Sequence, residues 1–497
     1  MNRQIRHVVL VLLGCFTLLF VQLNRIQVFQ ADTLVANAAN TRTIQRDFDR
    51  PRGLIITRDD VVIAESVPNP DGSGEIRNYP QGELYAHTAG YTSFTYGARG
   101  VERRYNDELI GRTAAQELSG LTDLLGGSNP IGTVRLTLRD DLQRIARAEL
   151  GERRGSVVAL DPANGEIYAM WSYPSFDPNR IARSSSEAWT ELVNAEGNPL
   201  RAKAFRDIFF PGSTFKVITA AAALETGAVT ALEPEFEPAE TYLPPLTERS
   251  ISNFGGSTCG GNLIELLVVS CNTAFAQMGA ELVGPGPLIE SAERFGFNQV
   301  PPIDLPDAVA SQFPTDFGSR VQSPTEEIPA GVFEDTPIVA QASIGQNDVS
   351  ATPLQMALVA AAVANGGVAP IPHVMLTVED FESGNQTDAF QNGNWLRAMD
   401  EQTAFTLAQA MIEVTERGTG SGAAVPGVVV GSKTGTAQLG TDPPASHAWM
   451  IAFAGRANER AELAIAVLIE GDEGSVDQTG GGVAAPIVRA MFTQFFQ

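Results

Sequence analysis

Residues 210–227 read FPGSTFKVITAAAALETG. From Phe215 the run is apolar and rich in alanine and stops at Gly227, the pattern of a buried helix closed by a residue free to turn left-handed. At its start Ser213 and Lys216 stand three positions apart, so the spacing puts them on one face. A serine hydroxyl is a weak nucleophile until a neighbour takes its proton. A desolvated lysine amine can take it once burial pushes the amine well below its ordinary value of about 10.4. Taken alone, the pair also fits a plain helix N-terminus with an exposed amine.

Composition makes that lysine conspicuous, because Lys203, Lys216 and Lys433 are the only lysines among 34 basic residues. Arginine stays charged, whereas lysine can be driven neutral and act as a base. Lys203, in Leu200-Arg201-Ala202-Lys203-Ala204, is expected at a solvated surface position. The other two fall in ordered motifs. Ser270-Cys271-Asn272 follows the helix-like LIELLVV at 263–269, and Lys433-Thr434-Gly435-Thr436 follows the strand-like Val428-Val429-Val430-Gly431-Ser432. Separately these are bland: Ser and Asn commonly cap a helix, and a lysine on an edge strand commonly serves solubility. On a strand, though, Thr434 and Thr436 point the same way and offer hydroxyls and a backbone N–H to a carboxylate and a developing oxyanion. Gly435 between them leaves room for close packing on a helix or substrate. The three motifs follow one another at separations of 57 and 163 residues, an order that leaves little room for coincidence.

The chain around them predicts an α+β, multi-domain architecture. Residues 27–136 mix short strand-like runs, LIIT at 54–57 and VVIA at 61–64, with Gly, Pro and Asn, which reads as a small β-rich domain. TLRDDLQRIARAEL at 137–150 has helical spacing and opens a larger domain. Asp161-Pro162-Ala163-Asn164-Gly165 joins two apolar runs as a hairpin. TPLQMALVAAAVANGG at 352–367 repeats the Ala-rich helix pattern, with Gly366 as its stop. Strand-like runs at 427–438, 446–455 and 462–471, then a helix near 484–496, suggest an antiparallel sheet flanked by helices. Residues 230–258 and 301–340, rich in Pro, Glu and Ser, are expected as long loops around a cleft.

A formal net charge of −24 and the lack of a basic stripe argue against nucleic acid. The four histidines lie far apart without ligand spacing, so no metal and no cofactor is expected. Arg3 and Arg6 precede the apolar run from Val8 to Val21, which suits either a cleaved signal peptide or an uncleaved anchor. An anchor is expected, because the small-x-small site Ala36-Asn37-Ala38 lies well past the apolar run. Residues 1–7 are then cytoplasmic, 8–24 cross the membrane, and the remainder is extracytoplasmic on a single-pass protein. Cys259 and Cys271 fit an exported chain either as a disulfide or as two thiols.

The ordered motifs resemble those of class B penicillin-binding proteins, monofunctional peptidoglycan transpeptidases, and are most like the actinobacterial penicillin-binding protein A type. Arg52-Gly53 with Arg58-Asp59-Asp60, Arg77-Asn78-Tyr79-Pro80-Gln81-Gly82 and Gly100-Val101-Glu102 resemble that family's pedestal motifs, with Asp60 where glycine is usual. LDPANGEIYAM, PSFDPN at 174–179, GQNDVSATPLQMA at 345–357 and Gly480-Gly481-Gly482 extend the likeness, with Asn347 replacing a common glycine. The resemblance implies a pedestal over 25–136 and a transpeptidase domain over 137–497, with a five-stranded antiparallel sheet and an all-helical subdomain. About 212 residues precede Ser213, too few for a pedestal plus a glycan-polymerising domain.

By the same resemblance Ser213 is the nucleophile, Lys216 its base, and Ser270 the relay to the leaving D-alanine. Asn272 holds the substrate's peptide carbonyl, Lys433 supports Ser270, and Thr434 and Thr436 beside Gly435 bind the terminal carboxylate. The N–H groups of Ser213 and Thr436 make the oxyanion hole. Implied partners are D-Ala-D-Ala stem peptides, an acceptor amine, β-lactams as covalent inhibitors and a membrane glycan polymerase. The rival readings are a D,D-carboxypeptidase or β-lactamase, and, in another class, a non-catalytic scaffold or β-lactam sensor.

Overall fold

Largely buried, apolar strands form a five-stranded antiparallel sheet in the computed structural model, in the order β3-β4-β5-β1-β2. Here β1 is Gly155–Leu160, β2 Ile167–Tyr173, β3 Val428–Gln438, β4 Ser446–Arg456 and β5 Leu463–Ile469. Alternation sends successive side chains to opposite faces. Met450, Ala452, Ile465 and Val467 pack with helices α1 (Asp140–Leu150) and α5 (Ala485–Phe496), while Trp449, Ile451, Ala464 and Ala466 join the core on the other face. That second core includes α2 (Lys216–Glu225), α3 (Pro353–Ala364) and α4 (Glu401–Arg417). The expected hairpin joins β1 to β2, and Gly227 and Gly366, both at positive φ, follow the ends of α2 and α3 as expected.

Residues 2–25, 51–70, 74–113, 131–442, 444–472, 475 and 478–497 are described; Ala36-Asn37-Ala38 lies outside them. The chain divides into two units, residues 1–51 with 67–76, and residues 52–66 with 77–497. In the first, Asn2–Asn24 is one helix, and its stretch Ile5–Asn24 is long and apolar enough to cross a membrane.

A six-stranded sheet runs in the order Gln386–Ala389, Met375–Asp380, Gly132–Leu136, Ile55–Ile56, Val62–Pro68, Glu75–Asn78. The pedestal motifs meet beside it. Buried Glu102 accepts from Arg52 Nη2 at 2.8 Å, Arg77 Nε at 2.5 Å and the Tyr79 hydroxyl at 3.2 Å. Burial by itself would raise the Glu102 carboxyl, but Arg77 and Arg52 hold it below the ordinary value. Glu102→Ala leaves buried Arg77 and partly buried Arg52 without their anion and should cost about 3–5 kcal/mol, measured by denaturant unfolding; a loss under about 1 kcal/mol, the scale of an exposed pair, contradicts this account.

Asp60 and Asn347, which stand where the family usually has glycine, sit at φ 66° and 61°. Asp and Asn tolerate this left-handed region better than other side chains, so both turns keep the conformation a glycine would give. The aperiodic stretch 230–258 contains short strands at Phe236–Ala239, Thr241–Tyr242 and Ile251–Ser252. Its residues 250–257 line the cleft, whereas none of 301–340 does, so the second stretch is not the cleft loop expected of it.

Candidate active site

Three chain segments converge on one cleft of about 1180 Å³. Gly212–Phe215 is a 3-10 turn leading directly into α2, which makes Lys216 the first residue of that helix and fully buries it. Gly212, at φ 54°, donates its N–H to the Gly345 carbonyl at 2.9 Å, and it lies close against β3, where a Cβ would stand 2.8 Å from the Thr436 carbonyl oxygen. Gly435 permits that approach: a Cβ there would stand 2.9 Å from the Pro211 carbonyl oxygen and 2.9 Å from Thr214 Cγ2.

Lys216 Nζ donates to the Ser270 carbonyl at 2.7 Å and to Asn272 Oδ1 at 2.7 Å, with Ser270 Oγ farther off at 3.4 Å. Both close partners only accept. A neutral amine has two hydrogens and one lone pair, so these two bonds use its hydrogens and leave the lone pair free to take a proton. Burial, reinforced by the nearby charge of Lys433, holds Lys216 well below the ordinary amine value. Among the described residues no hydrogen bond links Ser213 Oγ to Lys216 Nζ, so the amine is oriented by the second motif rather than by its neighbour on the turn. Hydrogen bonds of this kind are often long before substrate arrives.

Ser270 is the joint between helices Leu263–Val268 and Asn272–Gln277, and it sits at φ 59°, a strained conformation for a non-glycine residue. Its Oγ accepts from Lys433 Nζ at 2.8 Å, and the same amine donates to the Thr434 carbonyl at 2.9 Å. Burial lowers Lys433 to about 7. Thr434 and Thr436 both line the cleft with Ser213, Ser270 and Asn272, as the strand alternation requires. All eight expected site residues therefore meet at the junction of turn, joint and strand, with Lys216, Lys433 and Gly435 behind the cleft wall.

Sequence reasoning missed the residues that hold these groups. Asn253 Oδ1 accepts from the backbone N–H groups of Asn272 at 2.9 Å and Thr273 at 3.0 Å, while its Nδ2 donates to the Ala239 and Ser257 carbonyls. Thr419, just past α4, places Oγ1 at 2.7 Å from Thr434 Oγ1. Neither stands in a motif. Cys259 and Cys271 form a disulfide with Cα atoms 5.8 Å apart, which ties the Asn253 loop to the residue between Ser270 and Asn272. Lys203 is a correction: it is 4% exposed, with Nζ 2.7 Å from Glu470 Oε1. A buried carboxylate partner overrides the surface preference of lysine.

The family model for the penicillin binding protein transpeptidase domain matches residues 155–493, and that for the penicillin binding protein A dimerisation domain matches residues 52–134. The chain is 36% identical over 508 residues to peptidoglycan D,D-transpeptidase PbpA of Mycolicibacterium smegmatis, across 99% of this chain and 98% of the relative. PbpA of Mycobacterium tuberculosis is 35% identical over 516 residues, across 100% and 99%. The ceftriaxone acyl-enzyme complex of penicillin-binding protein A from M. tuberculosis superimposes with a TM-score of 0.81 at 33% identity, covering 91% of this chain and 100% of that one. Its penicillin G acyl-enzyme complex gives 0.78 at 33% identity, over 90% and 100%. Matches to the transpeptidase domain over 155–493, to the dimerisation domain over 52–134 and to PbpA over nearly the whole length show that this chain belongs to the penicillin-binding proteins, in the penicillin-binding protein A branch.

Proposed function

We propose that this chain is a serine D,D-transpeptidase that cross-links peptidoglycan stem peptides through an acyl-enzyme on Ser213 and that β-lactams arrest it at that stage. The observation carrying this reading is the environment of Lys216, a fully buried amine whose two close hydrogen bonds leave its lone pair available as a base. Lys216 takes the Ser213 proton as Oγ attacks the penultimate D-alanyl carbonyl. The N–H groups of Ser213 and Thr436 receive the oxyanion, and Thr434 and Thr436 hold the terminal carboxylate beside Lys433. Ser270, between Lys216 and Lys433, relays the proton to the departing D-alanine. An amine from a second stem then resolves the acyl-enzyme.

The helix Asn2–Asn24 supports a single-pass anchor, with the catalytic region placed outside the membrane, and the family matches at 52–134 and 155–493 support a pedestal over 25–136 and a transpeptidase domain over 137–497. A membrane glycan polymerase is the partner this arrangement would serve, since cross-links form on newly made strands.

Two measurements test the reading. Labelling with a fluorescent penicillin and mapping the adduct by peptide mass should place it on Ser213; an adduct elsewhere overturns the site. Incubation with a stem pentapeptide and a labelled acceptor amine should yield the cross-linked peptide. Release of D-alanine with hydrolysed product alone would make the chain a carboxypeptidase, and no turnover with intact penicillin acylation would make it a sensor or scaffold.

A further inference from the structure

Lys203 is a buried lysine that the reaction does not use. It opens the short helix Lys203–Arg206, whose chain continues through Phe209 and Phe210 to the nucleophile turn. Phe209 pairs with Ala351 through backbone hydrogen bonds, and the Phe210 carbonyl accepts from Trp449 Nε1 of β4 at 2.9 Å. The Lys203 amine meets Glu470, one residue beyond β5, at 2.7 Å. Glu470 Oε1 receives no well-directed hydrogen bond, so charge holds this contact; Arg154 Nη2 lies 3.2 Å from the other oxygen.

From Glu470 the network passes to the cleft in two directions. The Gly471 N–H donates to His447 Nδ1 at 3.0 Å, and His447 pairs with Ala437, the residue after Thr436. Gln478 Nε2 donates to the Ile469 carbonyl at 3.2 Å, immediately before the cleft residues Thr479 and Gly480. The His447 ring also meets the edge of Phe209, with centroids 5.4 Å apart. One ion pair thus joins the segment that delivers Ser213 to the end of the sheet that carries Thr436.

We propose that Lys203 is a positioning residue for acylation: paired with Glu470, it fixes the separation between the Ser213 turn and the Thr436 strand, whose N–H groups form the oxyanion hole. This rests on the assignment of Ser213 as nucleophile and deepens it. A second consequence concerns His447. Its Nδ1 accepts a proton-bearing N–H, so it works only while the imidazole is neutral. Facing it are Lys203 from its helix, Arg154 ahead of β1 and Glu470 beyond β5. Burial first, then Arg154 and Lys203, lower His447 to about 4. Without the Lys203 charge the imidazole rises from there, while burial and Arg154 continue to hold it down. Protonation then sets in at a higher pH than in the wild-type ring, and Gly471 loses its acceptor.

The test is the second-order rate of penicillin acylation, measured for wild type and variants from about pH 7.5 to 4.5, with variant-to-wild-type ratios removing the titration of Lys216 and Lys433. Lys203→Met should acylate about tenfold more slowly near pH 7.5, since small misplacements of reacting groups are expensive, and its ratio should fall further as pH drops. Lys203→Arg keeps the cation and should recover most of the rate with a flat ratio. Glu470→Gln should also be slow, but with a flat ratio, because both cations stay beside His447. A Lys203→Met protein that is slower with a flat ratio has lost only structure, and one that matches wild type has lost nothing; either result overturns the proposal. If Lys203→Met does not fold, Glu470→Gln decides, and wild-type acylation there overturns it. A wild-type adduct mapped away from Ser213 would instead defeat the site assignment, independently of how the variants rank.

Discussion

Lys216→Arg and Lys216→Met should each slow acylation of Ser213 by on the order of 10³–10⁴, the upper range for loss of a general base. The two replacements fail for different reasons. Methionine fills the buried volume but carries no lone pair that can accept a proton. Arginine is permanently charged, and its wide fork does not fit a site where the amine is fully buried and already faces Lys433. The pair Asn272 Oδ1 and Ser270 carbonyl that orients the amine would still be present, so the loss measures the base and not the cleft. Stopped-flow acylation by a fluorescent penicillin, with thermal unfolding to confirm an intact fold, gives the result. A Lys216→Arg enzyme retaining more than about a tenth of the rate would show that the proton leaves Ser213 by another route.

Why that lysine could be found in the sequence while others could not is a matter of where its partners lie. The proposed nucleophile, base and carboxylate-binding threonines occupy contiguous motifs, because the proposed chemistry needs a helix start, a helix joint and a strand edge, each with local spacing. The sheet was equally legible, since β4 and β5 are buried on both faces and carry long apolar runs, and β3 opens on Val428-Val429-Val430. Lys203 was misread because its partner, Glu470, lies at the far end of the chain, and an isolated lysine gives no sign that a carboxylate will be brought to it. Asn253 and Thr419 escaped for the same reason: they contact Asn272 and Thr434 from loops with no periodicity, and Asn and Thr are common in such loops. The Cys259–Cys271 pairing needed their Cα atoms to be brought to 5.8 Å, a distance that sequence does not encode. Asp60 and Asn347 looked like departures from a glycine pattern and proved to preserve its backbone conformation.

Lys433 should behave differently from Lys216, because its task is to supply charge and not to lose it. Its Nζ donates to Ser270 Oγ, and burial brings it to about 7. The free enzyme's acylation rate should therefore fall as pH rises through about 7, where Lys433 gives up its proton. Lys433→Arg should slow acylation about tenfold through altered geometry yet abolish that alkaline fall, since arginine stays charged. Lys433→Met should slow it by on the order of 10²–10³ at every pH, the range for loss of one preorganised electrostatic group. Stability carries the same signature. Between about pH 7 and 10.4 the unfolded chain holds this proton and the folded one does not, so folding stability rises with pH across that window. The rise amounts to on the order of 4 kcal/mol for a fully buried group and should vanish from this source in Lys433→Met. Urea unfolding at several pH values reads that slope. A Lys433→Arg enzyme with wild-type rate and an unchanged alkaline limb would mean that another group titrates there and that Lys433 only holds Ser270 in place.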